Sequence, residues 1–175
     1  MIRVKRGFQL SEIRASVAMA VYNGERYIVE QVASILERLG DNDELIISYD
    51  RSTDATWRII EEFRKSDRRV QVIKNDAPGV QNNFNHAVMA CHGKYIFLSD
   101  QDDVWIGDKV DRIVEEFERT GADVVVHDGY MTDVNLSPLP GTIFERYGIS
   151  DSALRNIING TYWGCCMAFR ASFRA

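Results

Sequence analysis

Short apolar runs alternate with amphipathic stretches along most of the chain. Residues 15–21 (Ala-Ser-Val-Ala-Met-Ala-Val) are mostly apolar, the pattern of a strand buried on both faces. Tyr22-Asn23-Gly24 breaks the run with turn formers. From Glu25 the apolar residues Ile28, Val32, Ile35 and Leu39 recur at intervals of 4, 3 and 4, which is one face of a helix. Gly40 to Asp43 stops it. The cycle then repeats. Leu45 to Tyr49 reads as a strand, and Trp57, Ile60 and Phe63 mark a helix. Val70 to Ile73 reads as a strand, Asn75 to Val80 as a loop, and Phe84, Val88 and Cys91 as a helix face ended by Gly93. Tyr95 to Leu98 is a fourth strand. Val110, Ile113, Val114 and Phe117 mark a fourth helix, ended by Gly121, before a fifth strand at Val124 to Val126. Beyond about residue 129 the alternation weakens. Asn135 to Gly141, with Pro138 and Pro140, reads as a loop, and Thr161 to Arg170 as a last strand interrupted by Gly164.

Strand–helix alternation at this spacing predicts an α/β fold, a mostly parallel central sheet flanked by helices on both faces. Ligands of such sheets sit beyond the carboxyl ends of the strands, so the polar loops there are where chemistry is expected. Two segments are expected: an N-terminal arm over 1–14 and one domain over 15–175. The arm carries Arg3, Lys5, Arg6 and Arg14 and lacks the apolar stretch of a secretory signal. It reads as a solvated leader, with peripheral attachment to a membrane as the alternative.

Composition narrows the function classes. With 45% hydrophobic and 27% charged residues the chain can bury a core without staples. It has 21 Lys and Arg against 26 Asp and Glu, a net charge of −5, which argues against a general nucleic-acid binder. No apolar run is long enough to span a bilayer. The three cysteines, Cys91, Cys165 and Cys166, form neither a disulfide framework nor a zinc spacing, and indicate a reducing, cytoplasmic setting. Neither a P-loop nor a Gly-x-Gly-x-x-Gly fingerprint occurs.

The strongest chemical signal is Ser99-Asp100-Gln101-Asp102-Asp103-Val104-Trp105, three carboxylates directly after an apolar strand. Crowded like charges need solvent or a cation, and hard divalent cations take a few carboxylates with phosphate and water. A helix N-cap would explain one or two of these aspartates, Asp103 among them, but not three. Asp50, at the end of the second strand, can accept hydrogen bonds from a base or ribose, while Asp54 suits a cap. Tyr22 and Asn23, beside Gly24, suit a close approach of ligand to backbone or a plain tight turn. Asn83 near the third helix start is a ligand or capping candidate, and Lys109 a phosphate ligand or a solvated helix residue. His127 and Asp128 end the fifth strand.

Together these loops resemble the GT-A-type glycosyltransferases of family 2. The matching segments are 17–28, 45–56, 83–87 and 93–105, and the Ser-Asp-Gln-Asp-Asp-Val-Trp form with Lys109 looks like the rhamnosyltransferase-like branch. Residues 161–170 look like the segment that precedes the family's acceptor site. The resemblance covers about residues 15–170 and implies a GT-A, Rossmann-like fold. It implies inverting, metal-dependent transfer of a sugar from a nucleoside-diphosphate donor, dTDP-rhamnose or a UDP-sugar, to a glycan or lipid-linked acceptor hydroxyl. Such an acceptor would put the chain at the inner face of a membrane. Asp102 and Asp100 would hold Mn²⁺ or Mg²⁺. Tyr22, Asn23, Asp50, Asn83, Asp103 and Lys109 would complete the nucleotide-sugar site, with the backbone at Tyr22 and Asn23 cradling the base. The family's catalytic base usually lies beyond the segment matching 164–170, while this sequence stops at Ala175. An incomplete acceptor side is therefore expected, with Asp128 and Asp133 as candidate bases. The alternative is a non-catalytic nucleotide-sugar-binding or scaffold protein of the same fold.

Overall fold

The computed structural model describes residues 12–150 and 152–174. The first eleven residues of the expected arm lie outside the described residues. The strands are β1 (Ala15–Val21), β2 (Asp43–Tyr49), β3 (Val70–Lys74), β4 (Tyr95–Ser99), β5 (Val124–Val126), β6 (Tyr130–Thr132), β7 (Pro138–Thr142) and β8 (Met167–Arg170). The helices are α1 (Ile28–Leu36), α2 (Thr56–Ser66), α3 (Val80–Ala90), α4 (Lys109–Thr120), α5 (Ile143–Tyr147) and α6 (Ala153–Asn159). Among the described residues no helix is long and apolar enough to cross a membrane.

The main sheet has the order β3-β2-β1-β4-β8-β5. Its first four strands are parallel, as the alternation predicts, with Val17 level with Leu45 on one side and Phe97 on the other. β1 lies between β2 and β4 and is buried along its length, which explains its lack of polar alternation. Odd positions of β1 (Val17, Met19, Val21) enter the larger core with Ile28, Val32 and Ile35 of α1, Ile60 of α2 and Val110 and Phe117 of α4. Ala18, Ile46 and Ile96 face the other way and meet Ala87 and Cys91. Helices thus cover both faces, α3 on one and α1, α2 and α4 on the other.

Three expectations change. Of the expected face of α3, Cys91 is buried and Val88 packs against the smaller core, but the fully buried line is Asn83, Ala87 and Cys91, and Phe84 is not part of it. Small residues let α3 approach β1 and β2 closely, and Phe84 turns toward a cleft instead. The prolines do not mark a loop: Pro138 and Pro140 lie in β7, which pairs antiparallel with β6 in a separate two-stranded sheet. Every strand of a two-stranded sheet is an edge, where a missing N–H is tolerated. The last strand is only Met167–Arg170, because Gly164–Cys166 forms one 3₁₀ turn before it.

β8 is inserted antiparallel between β4 and β5. Its start therefore lies at the carboxyl edge of β4, which carries Cys165 and Cys166 to the acidic loop. Arg170 anchors the far end by donating to the carbonyls of Ala122 (2.7 Å) and Phe117 (2.6 Å), with its guanidinium over Tyr95 and Phe117.

Candidate functional site

The strand order reverses at β1, since β2 follows on one side and β4 on the other. Such a switch point opens a crevice beyond the strand ends. A cleft of about 660 Å³ lies there, lined by residues from the exits of β1, β2, β3 and β4. Tyr22, Asp50, Asn83, Asp100 and Asp102, all named from the sequence, line it together. Asn23, Asp103 and Lys109 do not.

On the β2 side the loops lock into one another. Asn23, at φ 47°, accepts the Thr53 N–H at Oδ1 (2.8 Å) and donates its own N–H to Ser52 Oγ (3.0 Å). The N–H of Gly24 goes to Thr56 Oγ1 (2.8 Å) and that of Glu25 to Asp54 (3.1 Å). The Tyr22 N–H and C=O are both taken by the Gln101 amide, each at 2.9 Å. These backbone groups are committed within the protein. The half-exposed Tyr22 ring, not the amides at 22 and 23, is what this loop offers the cleft.

Asp50 is buried, accepting from the Arg51 N–H (2.8 Å) and the Gly79 N–H (3.0 Å). It thereby ties the β2 exit to the start of α3, where Gly79 has φ 112°, a conformation natural to glycine. Asn83, 2% exposed, donates to the Val21 carbonyl (3.2 Å), but its Oδ1 has no partner. An orphaned buried acceptor on a cleft wall marks a place where a ligand donor fits.

The acidic loop runs from Asp100 to the start of α4 at Lys109, where Asp108 holds the N-cap position, so Asp100, Asp102 and Asp103 lie well before the helix and do not cap it. A buried strut holds its base. Gln31 of α1, fully buried, donates to Ser99 Oγ (2.6 Å) and the Asp100 carbonyl (2.9 Å). Ser34 accepts the Trp105 N–H (3.0 Å). Asp100 and Asp103 converge with the Cys165 sulfur, their donor atoms all within 4.8 Å of one another. Burial, then Asp103 and Asp102, push the Asp100 carboxyl above its ordinary value. Burial also raises Asp103, against the Cys165 thiol, with Asp102 adding to the rise. Cys165 is itself held as a thiol by its hydrogen bond with Cys166, burial and the nearby carboxylates. Lys109 stands over the Trp105 ring at 4.0 Å and donates to the Cys165 carbonyl (3.3 Å), and burial lowers its pKa to about 8. Burial, then Lys109, lower His127 to about 4, so its ring is neutral at pH 7, with Nε2 buried and unpartnered. Asp100 joins this cluster to the cleft.

The two candidate bases are engaged elsewhere. Asp128 accepts the N–H groups of Gly129 (2.8 Å) and Phe144 (3.0 Å), holding the start of α5. Asp133 accepts those of Asn135 (2.8 Å) and Ser137 (3.0 Å) in the β6–β7 turn.

The sequence reading overlooked Gln31, Ser34 and the part played by Gln101. A signal for Gln31 existed. It falls within the Ile28–Val32–Ile35 stripe, and a polar residue in a buried helical stripe needs a buried partner. Asn75, Asp76, Val80 and Phe84 also line the cleft and carried no local signal beyond a loop and a helix start.

A model of glycosyl transferase family 2 matches residues 16–174. The putative teichuronic acid biosynthesis glycosyltransferase TuaG of Bacillus subtilis is 31% identical over 156 residues, which cover 83% of this chain and 58% of that protein. Two further glycosyltransferase relatives are covered over 42% and 40% of their length, so the chain spans about half the length of the curated relatives it matches. TarS 1-349 of S. aureus in complex with UDP-GlcNAc superposes with a TM-score of 0.69 at 22% identity, over 91% of this chain and 46% of that one. The mannosyltransferase PcManGT of Pyrobaculum calidifontis, in complex with GDP-Man and Mn²⁺, gives 0.64 at 15% identity, over 92% and 45%. At these identities the two structures establish the fold, and both carry it with a nucleotide sugar bound.

Proposed function

The chain belongs to glycosyl transferase family 2, and on that premise we propose that its cleft binds the nucleoside diphosphate of a sugar donor together with Mn²⁺ or Mg²⁺. The observation that carries this reading is the meeting of Asp50, the orphaned Asn83 Oδ1, Asp100 and Asp102 around one cleft at the switch point. Asp50, Asn83 and the Tyr22 ring form the end suited to base and ribose, where acceptors and an aromatic face are wanted. Asp100 and Asp102 form the diphosphate end. The donor set fits the cation: Asp100 and Asp102 are hard oxygen ligands on the cleft wall, and the burial that raises Asp100, with the repulsion from Asp103 and Asp102 added to it, is what a bound cation offsets. When bound, the metal offsets the negative charge that develops on the departing diphosphate. Lys109, behind the cleft lining and in electrostatic contact with Asp103, adds a positive charge near that end.

The reaction is transfer with inversion. The bond from the anomeric carbon to the diphosphate breaks as the acceptor oxygen bonds to the opposite face, and a carboxylate base takes the acceptor proton. Asp128 and Asp133 serve their own backbones in this structure, which supports looking elsewhere for that base. The acceptor is a glycan or lipid-linked hydroxyl presented at the cytoplasmic face of a membrane, a reading supported by the teichuronic acid biosynthesis in the name of TuaG.

Calorimetric titration of UDP, dTDP and GDP, with and without Mn²⁺, tests the site. Metal-dependent binding of one of them, lost in Asp102→Ala, is expected. If none of the three binds, the donor reading is wrong and a scaffold role takes its place. Turnover of dTDP-rhamnose or a UDP-sugar with an acceptor then separates enzyme from binding protein.

A further inference from the structure

The β1–β4 ladder ends at Met19 opposite Ser99. Beyond that pair the strands part toward their loops, and no backbone pairing joins them. Two residues after Ser99, the Gln101 side chain spans the gap. Its Oε1 accepts the Tyr22 N–H and its Nε2 donates to the Tyr22 carbonyl, both at 2.9 Å. A primary amide has the donor–acceptor pair of a peptide unit, so this side chain continues the ladder one rung past the strands.

Gly24 fits the same contact from the other side. Its φ is not in the left-handed region, so its backbone does not require glycine. A Cβ there would stand 2.6 Å from Gln101 Oε1 and 3.0 Å from its Cδ, and no other residue crowds it. The close approach that glycine permits is to the Gln101 amide.

We propose that Gln101 is a positioning residue that locks the Tyr22 wall of the cleft to the Asp100–Asp102 carboxylates, fixing the distance between the base end and the diphosphate end. The proposal rests on the donor reading above for what the lock serves. Without it the two walls belong to separate loops, and a bound diphosphate must order both. Gln101 lies on the cleft surface between the two walls, so the lock sits where they meet.

The test compares wild type, Gln101→Ala, Gly24→Ala and the double variant in two measurements. The first is amide hydrogen exchange of the nucleotide-free protein. Tyr22 N–H is expected to be protected in wild type and to exchange at least about tenfold faster in each variant, the scale of one lost hydrogen bond. The second is titration of UDP, dTDP and GDP with Mn²⁺. Each single variant is expected to weaken the diphosphate that binds by about tenfold with an unchanged melting temperature. In the double variant Gly24→Ala is expected to add nothing, because the amide it displaces is already gone. Gln101→Glu, which keeps the acceptor and loses the donor, should fall between. Equal Tyr22 exchange in wild type and Gln101→Ala, or additive losses in the double variant, would overturn the lock. Absence of binding to wild type would instead sink the donor reading, and the exchange result would still decide whether Gln101 locks the loops. If Gly24→Ala fails to fold, Gln101→Ala and Gln101→Glu carry both measurements.

Discussion

The two edges of the central sheet both bury polar groups and treat them oppositely. At the amino edge of β1 and β2 the carboxylates are satisfied within the protein. Asp43 accepts from Arg14 Nε (2.9 Å) and Nη2 (2.6 Å), and from the N–H groups of Ala15 (3.2 Å) and Gly40 (2.7 Å). Glu44 accepts from Ser16 Oγ (2.6 Å), Gln71 Nε2 (2.9 Å) and the His92 N–H (2.7 Å). At the carboxyl edge Asp100 and Asp103 crowd one another, and Asn83 Oδ1, Trp105 Nε1 and His127 Nε2 are buried without partners. The carboxylates of the first edge are fully engaged within the protein and add to stability. The other leaves polar groups under-satisfied where a ligand can complete them, as functional sites do at a local cost.

The contrast is broken or sharpened by four substitutions. The largest effect is expected at the closed edge. Glu44→Ala strands the donors of Ser16, Gln71 and His92, and should cost about 3 kcal/mol or more in urea unfolding; a loss under about 1 kcal/mol would mean that this edge is no more consolidated than the other. Asp102→Ala, at the open edge, should leave unfolding unchanged and weaken Mn²⁺-dependent nucleotide binding by at least tenfold, about 1.4 kcal/mol. A stability loss without a binding loss would reverse the assignment.

Asp103→Asn should stabilise the metal-free protein by about 1 kcal/mol at neutral pH. The Asp103 carboxyl is raised in the folded state, so the folded chain holds its proton longer than the unfolded one. Its contribution is therefore most favourable at low pH and declines as pH rises past the ordinary carboxylate range. A stability–pH curve that is flatter in Asp103→Asn across that range is the result to look for. The smallest effect concerns Lys109. With its pKa near 8 rather than the ordinary 10.5, it loses charge earlier in the folded chain than in the unfolded one. Stability should rise slightly between those two values while affinity for a nucleoside diphosphate falls as pH passes 8. Lys109→Met should abolish both slopes, and persistence of the affinity slope would place the titrating group elsewhere.

Much of this site was legible before any coordinates. The Asp100–Asp103 run stood out because three carboxylates after an apolar strand have few structural explanations, and Asp50 because it ends a strand. Gly121 was readable as a helix stop and adopts φ 70° after α4. Gln101 was visible as a letter between two aspartates, but its partner at Tyr22 lies 79 residues away. Asp103 and Lys109 are expected from the sequence as part of the nucleotide-sugar site, whereas the structure sets them beside Cys165 and outside the cleft lining.

The sequence by itself determined the order of strands and helices from β1 to β5, the parallel character of β1 to β4 and the loops in which chemistry could sit. Those features follow from periodicity and turn residues, which are local and repeat every two to four positions. Only the tertiary structure decided that β8 enters antiparallel between β4 and β5, that α3 buries Asn83 with its Oδ1 unmet, and that Gln31 and Gln101 hold the acidic loop from below and from the side. Each of these is a pairing between segments far apart in the chain, chosen by which surfaces fit once the sheet has formed, and no local pattern records it.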